Sequence, residues 1–290
     1  MKKCLRCDHG WNGSSWQCPD CLFQPPVVEG FLAFAPELGW DEGDYEAGFH
    51  QLLTTFEQNC FWFVGRNRLL VSAIKQFFPL AASFLEVGCG TGYVLGALRE
   101  GLPELQVVAG ELLLSGLRQV QARLPRTQLL QMDARRIPYR EEFDVIGSFD
   151  VLEHVEHDEQ ALVQIHEALK PGGGCLVTVP QHRWLWSHQD VASHHKRRYS
   201  RGELRAKMES AGFRVVWMTS FVSLLLPVMA IARLWNEWGT KPEGRALQLP
   251  NLSATINGLF GRICDLERIL IHSGVSLPVG GSLLAVGVKS

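Results

Sequence analysis

The chain has 290 residues, of which 46% are hydrophobic and 20% are charged, and its formal net charge is −2 with an isoelectric point near 6.6. We expect from this a soluble globular protein with one large domain, or one large and one small domain. The near-neutral charge argues against a general electrostatic attachment to nucleic acid. Because Met1-Lys2-Lys3 leads into cysteines and not into an apolar run, no signal peptide is expected, and the location predicted is cytoplasmic.

The first 27 residues contain two Cys-x-x-Cys pairs separated by ten residues. Four thiolates so close together can surround a zinc ion tetrahedrally, and a segment this short would depend on the metal to fold. A pair of redox dithiols, or cysteines without a shared role, are the alternatives. Because a closed site leaves no position for a substrate, we predict structural or recruiting Zn(2+) in a module of residues 1–27, bound by Cys4, Cys7, Cys18 and Cys21.

Residues 28–80 are predicted to form a linker and N-terminal helices. Gln24-Pro25-Pro26 is typical of a stiff linker, and helical periodicity runs from about Phe49 to Phe78. The simplest interpretation is that these helices pack their aromatic residues on the main domain. The alternative is a lid, in which Trp62 and Arg66 contact a substrate.

Strands and helices alternate from residue 83 onward, in the predicted domain of residues 81–290. Strands are predicted at 84–87, 105–110, 127–131, 143–149 and 174–180, and helices near 92–100, 113–123, 158–169 and 201–211. Such alternation favours a parallel sheet with helices on both faces. Ligands of this architecture bind beyond the carboxyl ends of the strands, where the sequence places four acids: Glu86, Glu111, Asp133 and Asp150.

A helical insertion at about 221–280 precedes the last strand, which is predicted at 282–288 as an antiparallel partner of a strand at 213–219. The apolar run after residue 221 is expected to be the end of a core strand followed by a docked helix, and contact of about 221–235 with a membrane surface is the alternative. A second helix, at about 253–272, is amphipathic. The insertion could cover the pocket and shape the choice of substrate.

The stretch FLEVGCGTGY, residues 84–93, predicts a buried strand, a glycine turn and the start of a helix. Gly88, Gly90 and Gly92 permit positive φ and allow a ligand to approach bare backbone, and free N–H groups at the helix start would face that ligand. The dinucleotide fingerprint is absent, because Tyr93 stands where that pattern requires glycine.

The motifs together resemble the class I methyltransferases that use S-adenosylmethionine. In addition to the glycine turn, QMDARRIPY, FDVIGSFDVLEHV and LKPGGGCLVTVP are similar to family segments in the same order. The resemblance implies a doubly wound α/β fold with a mostly parallel, seven-stranded, Rossmann-like sheet. It also implies that Glu86 orients the cofactor's amino group, that Glu111 binds the ribose, and that Asp133-Ala134 lies beside the adenine. The cofactor-binding residues predicted are Glu86, Gly88, Cys89, Gly90, Gly92, Tyr93, Glu111, Leu112, Asp133, Ala134 and Asp150.

Two loops hold the candidates for binding the acceptor and for taking its proton. Asp150, His154 and His194 are the predicted catalytic residues. The stretch SHQDVASHHKRRYS places cations just before a helix start, where they oppose the helix dipole, so an anionic substrate group explains them better than helix capping does. A solvated basic loop is the alternative. The predicted substrate contacts are Trp62, Arg66, His182, His195, Arg198 and Tyr199.

The function predicted is therefore S-adenosylmethionine-dependent methyl transfer to a small-molecule, lipid-linked or sugar-linked acceptor. Two alternatives stay open. One is methylation of RNA with the cysteine module gripping the substrate, against which the near-neutral charge argues. The other is a cofactor-binding scaffold without turnover.

Overall fold

The computed structural model describes residues 1–40, 49–238 and 252–290, with side chains up to residue 233 in the middle range. The N-terminal residues form a hairpin of β1 (Lys2–Lys3) and β2 (Gly10–Trp11), followed by the short antiparallel pair β3 (Val27–Val28) and β4 (Phe31–Ala33). The predicted boundary between residues 27 and 28 thus falls inside a strand.

The predicted mostly parallel sheet is confirmed. Its parallel centre consists of β5 (Ser83–Val87), β6 (Gln106–Glu111), β7 (Gln128–Gln131), β8 (Phe143–Phe149) and β9 (Leu169–Pro180). The long strands β10 (Phe213–Phe221) and β11 (Ser282–Lys289) pair antiparallel with each other, and β11 pairs antiparallel with β9. These are the seven strands that the sequence predicts.

Two further strands extend the sheet to nine, in the order β10-β11-β9-β8-β5-β6-β7-β4-β3. β4 pairs parallel with β7, with Leu32 opposite Leu130. The segment predicted to be a linker therefore supplies one edge of the sheet. Strands of two and three residues lie below the length at which side-chain alternation can be recognised, so the sequence pattern did not reveal them.

Helices cover both faces of the sheet. The described ones are α1 (Phe49–Glu57), α2 (Phe61–Phe77), α3 (Tyr93–Gly101), α4 (Leu114–Arg123), α5 (Asp158–Ala168), α6 (His188–Ala192), α7 (Arg201–Ser210), α8 (Leu226–Trp238) and α9 (Ala254–His272). Successive side chains of a strand point to opposite faces. Accordingly Phe84 packs in the core under α2, α3 and α9, whereas Leu85 packs in the core under α5 and α7.

The cysteine module packs directly against the sheet domain. Lys3 forms an ion pair with Glu167 at 2.7 Å, and the Trp16 ring meets Phe34 and Tyr139 edge to face. The backbone N–H of Lys3 also donates to the carbonyl of Pro138 at 3.0 Å. These contacts fix the position of the module relative to the turn that precedes β8.

The insertion docks its second helix, α9, along α2. Phe61 meets Phe260 edge to face, with ring centroids 5.2 Å apart, and Arg68 pairs with Asp265. Glu267 is buried and accepts hydrogen bonds from the backbone N–H groups of residues 222, 223 and 224, so α9 also holds the loop that leads into α8. Within the described ranges no helix has the length and apolarity that a bilayer span requires.

Candidate active site

The glycine turn between β5 and α3 has the predicted left-handed backbone, with φ of 75°, 52° and 72° at Gly88, Gly90 and Gly92. A Cβ at Gly90 would meet no atom within 4 Å, so the turn is open to a ligand there. At Gly88 a Cβ would lie 2.4 Å from Val151, so this glycine is also required for close packing.

The N–H groups of the turn itself donate hydrogen bonds within the protein. The N–H groups of Gly88 and Cys89 donate to the carbonyl of Gly110, and that of Gly92 donates to the carbonyl of Cys89. The N–H of Gly90 donates to the Glu111 carboxylate at 2.7 Å. These four N–H groups therefore stabilise the turn, which presents its open backbone surface to a ligand. The expectation of free N–H groups concerns the helix start, from Tyr93 onward, and stays a prediction.

Glu86 and Glu111 both lie buried beside this turn. One carboxylate oxygen of Glu86, Oε2, has no hydrogen-bond partner. Burial raises the pKa of Glu86 well above its usual range, the charge of Glu111 adds to that effect, and the charge of Arg66 opposes it. Two buried acids that repel each other form a site for a cationic or hydrogen-bond-donating group.

The Glu111 carboxylate is also anchored at the start of α4. It accepts the backbone N–H groups of Leu112 and Leu113 at 2.8 and 3.0 Å, in addition to that of Gly90. This arrangement locks the carboxylate in one orientation. It places Glu111 and Leu112 at the carboxyl end of β6, where the sequence predicts them.

The N-terminal helices hold the glycine turn from outside. Glu57, at the end of α1, is buried and accepts the Thr91 hydroxyl at 2.7 Å as well as a hydrogen bond from Arg123. The Asn67 amide of α2 donates to the carbonyl of Tyr93 at 3.0 Å. Sequence reasoning missed Glu57 and Asn67, and the available signal was polar residues within otherwise apolar helical faces.

Asp133 and Ala134 follow the end of β7, at the same edge of the sheet. The Asp133 carboxylate accepts two hydrogen bonds from the Nε of Arg135, at 3.0 and 2.9 Å, and another from Nη2. Although burial acts in the opposite direction, the hydrogen bonds and charge of Arg135 lower the pKa of Asp133. Asp133 is therefore an ionised carboxylate at neutral pH.

Asp150, beyond the end of β8, is paired with Arg66 from α2 at 2.5 Å and accepts the Thr178 hydroxyl at 3.2 Å. The guanidinium of Arg66 lies over the Trp62 ring, 4.7 Å from its centroid, and its Nε has no partner. The structure thus brings both predicted lid residues to the end of the central strands. The ion pair between Arg66 and Asp150 links α2 directly to the edge where the acids converge.

Backbone strain marks the same edge. Asp150, His182 and His194 all have positive φ, at 57°, 62° and 54°. A non-glycine residue rarely adopts this conformation, and it persists only where the surrounding structure imposes it. All three are predicted site residues, and they lie in the loops that follow β8 and β9.

Two of the predicted histidines are in contact. The rings of His154 and His195 meet edge to face with centroids 4.8 Å apart, and Nδ1 of His195 lies 2.9 Å from the carboxylate of the buried Asp190. Burial, together with His195 and His194, lowers the pKa of His154 to about 3. An imidazole with so low a pKa is a weak proton acceptor near neutral pH, which argues against the predicted role of His154 as a base.

Arg198 and Tyr199 are buried and held by the protein itself. The Nε of Arg198 donates to Asp190 at 2.7 Å and its Nη1 donates to the carbonyl of Gln181 at 3.0 Å. The hydroxyl of Tyr199 donates to Asp158 at 2.7 Å, which commits its one polar side-chain atom. Tyr199 therefore positions the loop and has no side-chain donor left for a substrate.

Unpaired polar atoms nevertheless surround Arg198. Arg233 of α8 approaches Asp190 at 3.6 Å, but its Nη1 makes no hydrogen bond, and Nε2 of His182 is likewise buried without a partner. Burial, and then the charge of Arg198, lower the pKa of Arg233 to about 10, at which it remains cationic at neutral pH. Sequence reasoning missed Arg233 because it lies in the insertion, 35 residues from Arg198.

The four cysteines of the N-terminal module converge on one point. The Sγ atoms of Cys4 and Cys21 are 3.5 Å apart, those of Cys7 and Cys18 are 3.6 Å apart, and all four lie within 4.8 Å of one another. Tetrahedral ligands at a Zn–S distance of about 2.3 Å would be separated by about 3.8 Å. The donor set and its spacing therefore fit a closed zinc site.

Comparison with known proteins supports this picture of the domain. A family model described as a methyltransferase domain matches residues 61–217, which is more than half of the chain. A Mycolicibacterium smegmatis protein described as a probable S-adenosylmethionine-dependent methyltransferase is 28% identical over 45% of this chain and 51% of its own length. A trans-aconitate 2-methyltransferase of an Azoarcus species is 26% identical over 54% of this chain and 60% of its own length. The chain thus spans between half and two thirds of the curated relatives it matches.

Solved structures share the fold. A Haemonchus contortus phosphoethanolamine N-methyltransferase bound to S-adenosyl-L-methionine superposes with a TM-score of 0.53 at 17% identity, covering 83% of this chain and 58% of that one. The [4+2]-cyclase SpnF superposes with a TM-score of 0.52 at 18% identity, covering 87% of this chain and 85% of that one. Because one of these proteins is a cyclase, the fold by itself does not decide the reaction.

Proposed function

The chain belongs to the methyltransferase domain family, and from that membership we propose that it transfers a methyl group from S-adenosylmethionine to an anionic small-molecule or lipid-linked acceptor. The observation that carries the proposal is the pair of buried acids, Glu86 and Glu111, beside an open glycine turn. The unpartnered Oε2 of Glu86 is an acceptor without a donor, and the cofactor's ammonium group would supply one.

The residues present fit the cofactor. Glu86 would accept its amino group, Glu111 its ribose hydroxyls, and the open face of Gly90 would allow its chain to approach the backbone. When bound, S-adenosylmethionine supplies an electrophilic methyl group on a sulfonium, so the task of the protein is to align the acceptor and exclude water. In our proposal α1 and α2 hold the turn in place through Glu57 and Asn67.

An anionic group on the acceptor is supported by the cations around the second loop. Arg198, Arg233 and His182 meet near one buried region, and the last two have unused polar atoms there. Guanidinium groups bind carboxylates and phosphates with charge-assisted hydrogen bonds. A relative named for trans-aconitate, a tricarboxylate, is compatible with this class of acceptor and provides a probe.

The proton of an acceptor O–H or N–H would be taken at the ends of β8 and β9. We propose His194 for this role, because it lies in a strained loop at the edge where the acids converge, and we propose that Asp150, which is ion-paired with Arg66, orients the acceptor. Arg66 would hold Asp150 in position.

The cofactor site is tested by calorimetric titration with S-adenosylhomocysteine. We expect the wild-type protein to bind it and Gly90→Asp to lose binding, because a carboxylate would fill the open face and repel Glu86 and Glu111. Gly172→Asp is the matched control: Gly172 also has positive φ and no atom within 4 Å of where a Cβ would lie, but it belongs to the start of β9, at the opposite edge of the sheet. Equal binding by both variants would refute the site assignment.

A further inference from the structure

Three side chains of the two active-site loops converge outside the glycine turn: Glu153, His154 and His195. Their donor atoms lie within 4.8 Å of one another, and the Nε2 of His195 is 4.0 Å from the Oε1 of Glu153. Two imidazoles and one carboxylate around a shared point make up a common three-ligand set for a divalent transition metal. Ligands at a bond length of about 2.1 Å in a tetrahedral site are separated by about 3.4 Å, so closing the set requires only side-chain adjustment.

Glu153 is the group that calls for an explanation. It is fully buried, and neither of its carboxylate oxygens has a hydrogen-bond partner. An isolated buried carboxylate is costly unless it is protonated, paired with a cation or bound to a metal.

The imidazoles of His154 and His195 are oriented by hydrogen bonds of the kind that metal-binding histidines usually make. A ligating histidine commonly uses its second ring nitrogen for a hydrogen bond to a carboxylate or to the backbone, which fixes its orientation. His195 does so through Nδ1, 2.9 Å from Asp190, and this leaves Nε2 directed at Glu153. His154 makes its hydrogen bond to the backbone of His194. Asp190 is in turn fixed by Arg198 and by Ser187.

We propose that Glu153, His154 and His195 form a binding site for a divalent first-row transition-metal ion, such as Mn2+, Fe2+, Co2+ or Zn2+. Three protein ligands leave at least one coordination position open, for a water molecule or an oxygen of another ligand. The site is distinct from the cysteine module, whose four thiolates form a closed set. It does not depend on methyl transfer by this chain, because it concerns metal binding alone.

The test uses the full-length protein with its cysteine module loaded with zinc. Mn2+ is a hard ion that thiolates bind poorly, so the module will not compete for it. The protein is titrated with Mn2+, and binding is measured as the loss of the free-ion signal in electron paramagnetic resonance. We expect one bound ion per chain. Glu153→Gln and His195→Asn should each weaken binding by about 10–100-fold or more, because each removes a ligand.

The matched control is His157→Asn, since His157 is exposed and lies three residues from His154 on the same loop. It should bind Mn2+ like the wild type. Co2+ is titrated in parallel, because it binds imidazole sites more tightly than Mn2+ does. The proposal is overturned if neither ion binds the wild type outside the cysteine module, or if Glu153→Gln binds with unchanged affinity. Circular dichroism of both ligand variants establishes that a loss of binding is not a loss of fold.

Discussion

At the scale of single residues, the buried carboxylates fall into two groups. Asp158 and Asp190 are buried but are paired with cations and hydrogen-bond donors of the protein. Glu86 and Glu153 are equally buried and keep oxygens without partners. Paired acids of the first kind stabilise the fold, whereas unpaired acids of the second kind indicate where an external cation belongs.

Asp158 provides a stability prediction for the first group. Although burial opposes them, Lys207, Tyr199 and Arg197 lower the pKa of Asp158. A folded-state pKa below the unfolded value of about 3.8 means that the stabilisation is present above about pH 4 and is lost as the pH falls through the folded-state pKa. Asp158→Asn should therefore lower the free energy of unfolding by about 1–3 kcal/mol near pH 7, and the difference from wild type should shrink in acid.

Urea unfolding at several pH values measures this effect. Glu159→Gln is the control, because Glu159 is exposed, shares Lys207 with Asp158 and belongs to the same helix turn. It should change stability by less than about 0.5 kcal/mol. A difference between Asp158→Asn and wild type that stays constant down to low pH would contradict the electrostatic account.

Arg233 provides the corresponding prediction for ligand binding. Replacing it with glutamine should weaken binding of the tricarboxylate probe to the S-adenosylhomocysteine complex by about 10–100-fold, because a hydrogen bond to a charged group contributes about 1.5–3 kcal/mol. Affinity for S-adenosylhomocysteine should not change. Arg205→Gln is the control, since Arg205 is an exposed arginine of α7. Calorimetric titrations of the wild type, Arg233→Gln and Arg205→Gln measure these affinities. Equal affinity of wild type and Arg233→Gln for the probe would count against an anion site at Arg233.

The sequence located Glu86, Glu111, Asp133 and Asp150 because each lies in the last residues of a predicted strand or one or two residues after it. It could not identify Glu57 or the burial of Glu153 and Asp190, since these depend on contacts between distant segments. Glu57, for example, meets Thr91 across 34 positions of the chain. Burial of a polar side chain is a property of tertiary packing that local patterns do not encode.

At the scale of elements, the N-terminal helix α2 and the insertion helix α9 pack together beside the candidate site. The sequence predicted α2 and α9 from their apolar periodicity, and the structure shows that they pack on each other. The sequence could not predict that α2 and α9 are neighbours, because an amphipathic pattern shows that one face of a helix is buried but not which element covers it. Together α2 and α9 connect Arg66, at the strand ends, to the insertion.

The first helix of the insertion presents an apolar face outward. Val228 and Ile231 are 48% and 55% exposed and lie three residues apart on the helix, and Leu224, in the turn that precedes it, is 45% exposed. These residues belong to the predicted membrane-surface segment 221–235, in which the structure describes side chains up to residue 233. If this face lies on lipid, Ile231→Asp should reduce cosedimentation of the protein with phospholipid vesicles, because burying a charge among acyl chains is unfavourable.

Leu80→Asp is the matched control for the vesicle experiment. Leu80 is an exposed leucine in the turn between α2 and β5, away from the insertion, so its replacement should leave cosedimentation unchanged. If the wild-type protein does not bind vesicles, or if both variants bind equally well, the apolar face has another role.

At the scale of the whole molecule, the cysteine module and the sheet domain form one packed body. Lys3, Trp16 and the N-terminal amine all contact residues of the segment that surrounds β8 and α5. The sequence predicted the four cysteine ligands because the spacing of two Cys-x-x-Cys pairs is enough to indicate a zinc site. It did not predict the docking, which depends on single contacts such as the pairing of Lys2 with Tyr139.

Zinc binding should therefore influence the stability of the whole chain. We expect one zinc ion per chain by elemental analysis, and Cys18→Ser should lose it and lower the unfolding temperature, since metal binding contributes directly to the folding of such modules. Cys264→Ser is the control, because Cys264 lies in α9, outside the module. Retention of a full zinc equivalent by Cys18→Ser would contradict the proposed ligand set.

The pairing of β4 with β7 covers an edge of the sheet at which another chain could otherwise pair. Without β4 and β3, the outer side of β7 would be an open row of amides and carbonyls on which another chain could assemble. β3 is a poor template for such growth, because it has only two residues and follows directly after Pro25-Pro26. β4 and β3 thus protect this edge of the sheet. Removing the residues before position 35 would expose it and would favour aggregation, even if the cofactor site remained intact.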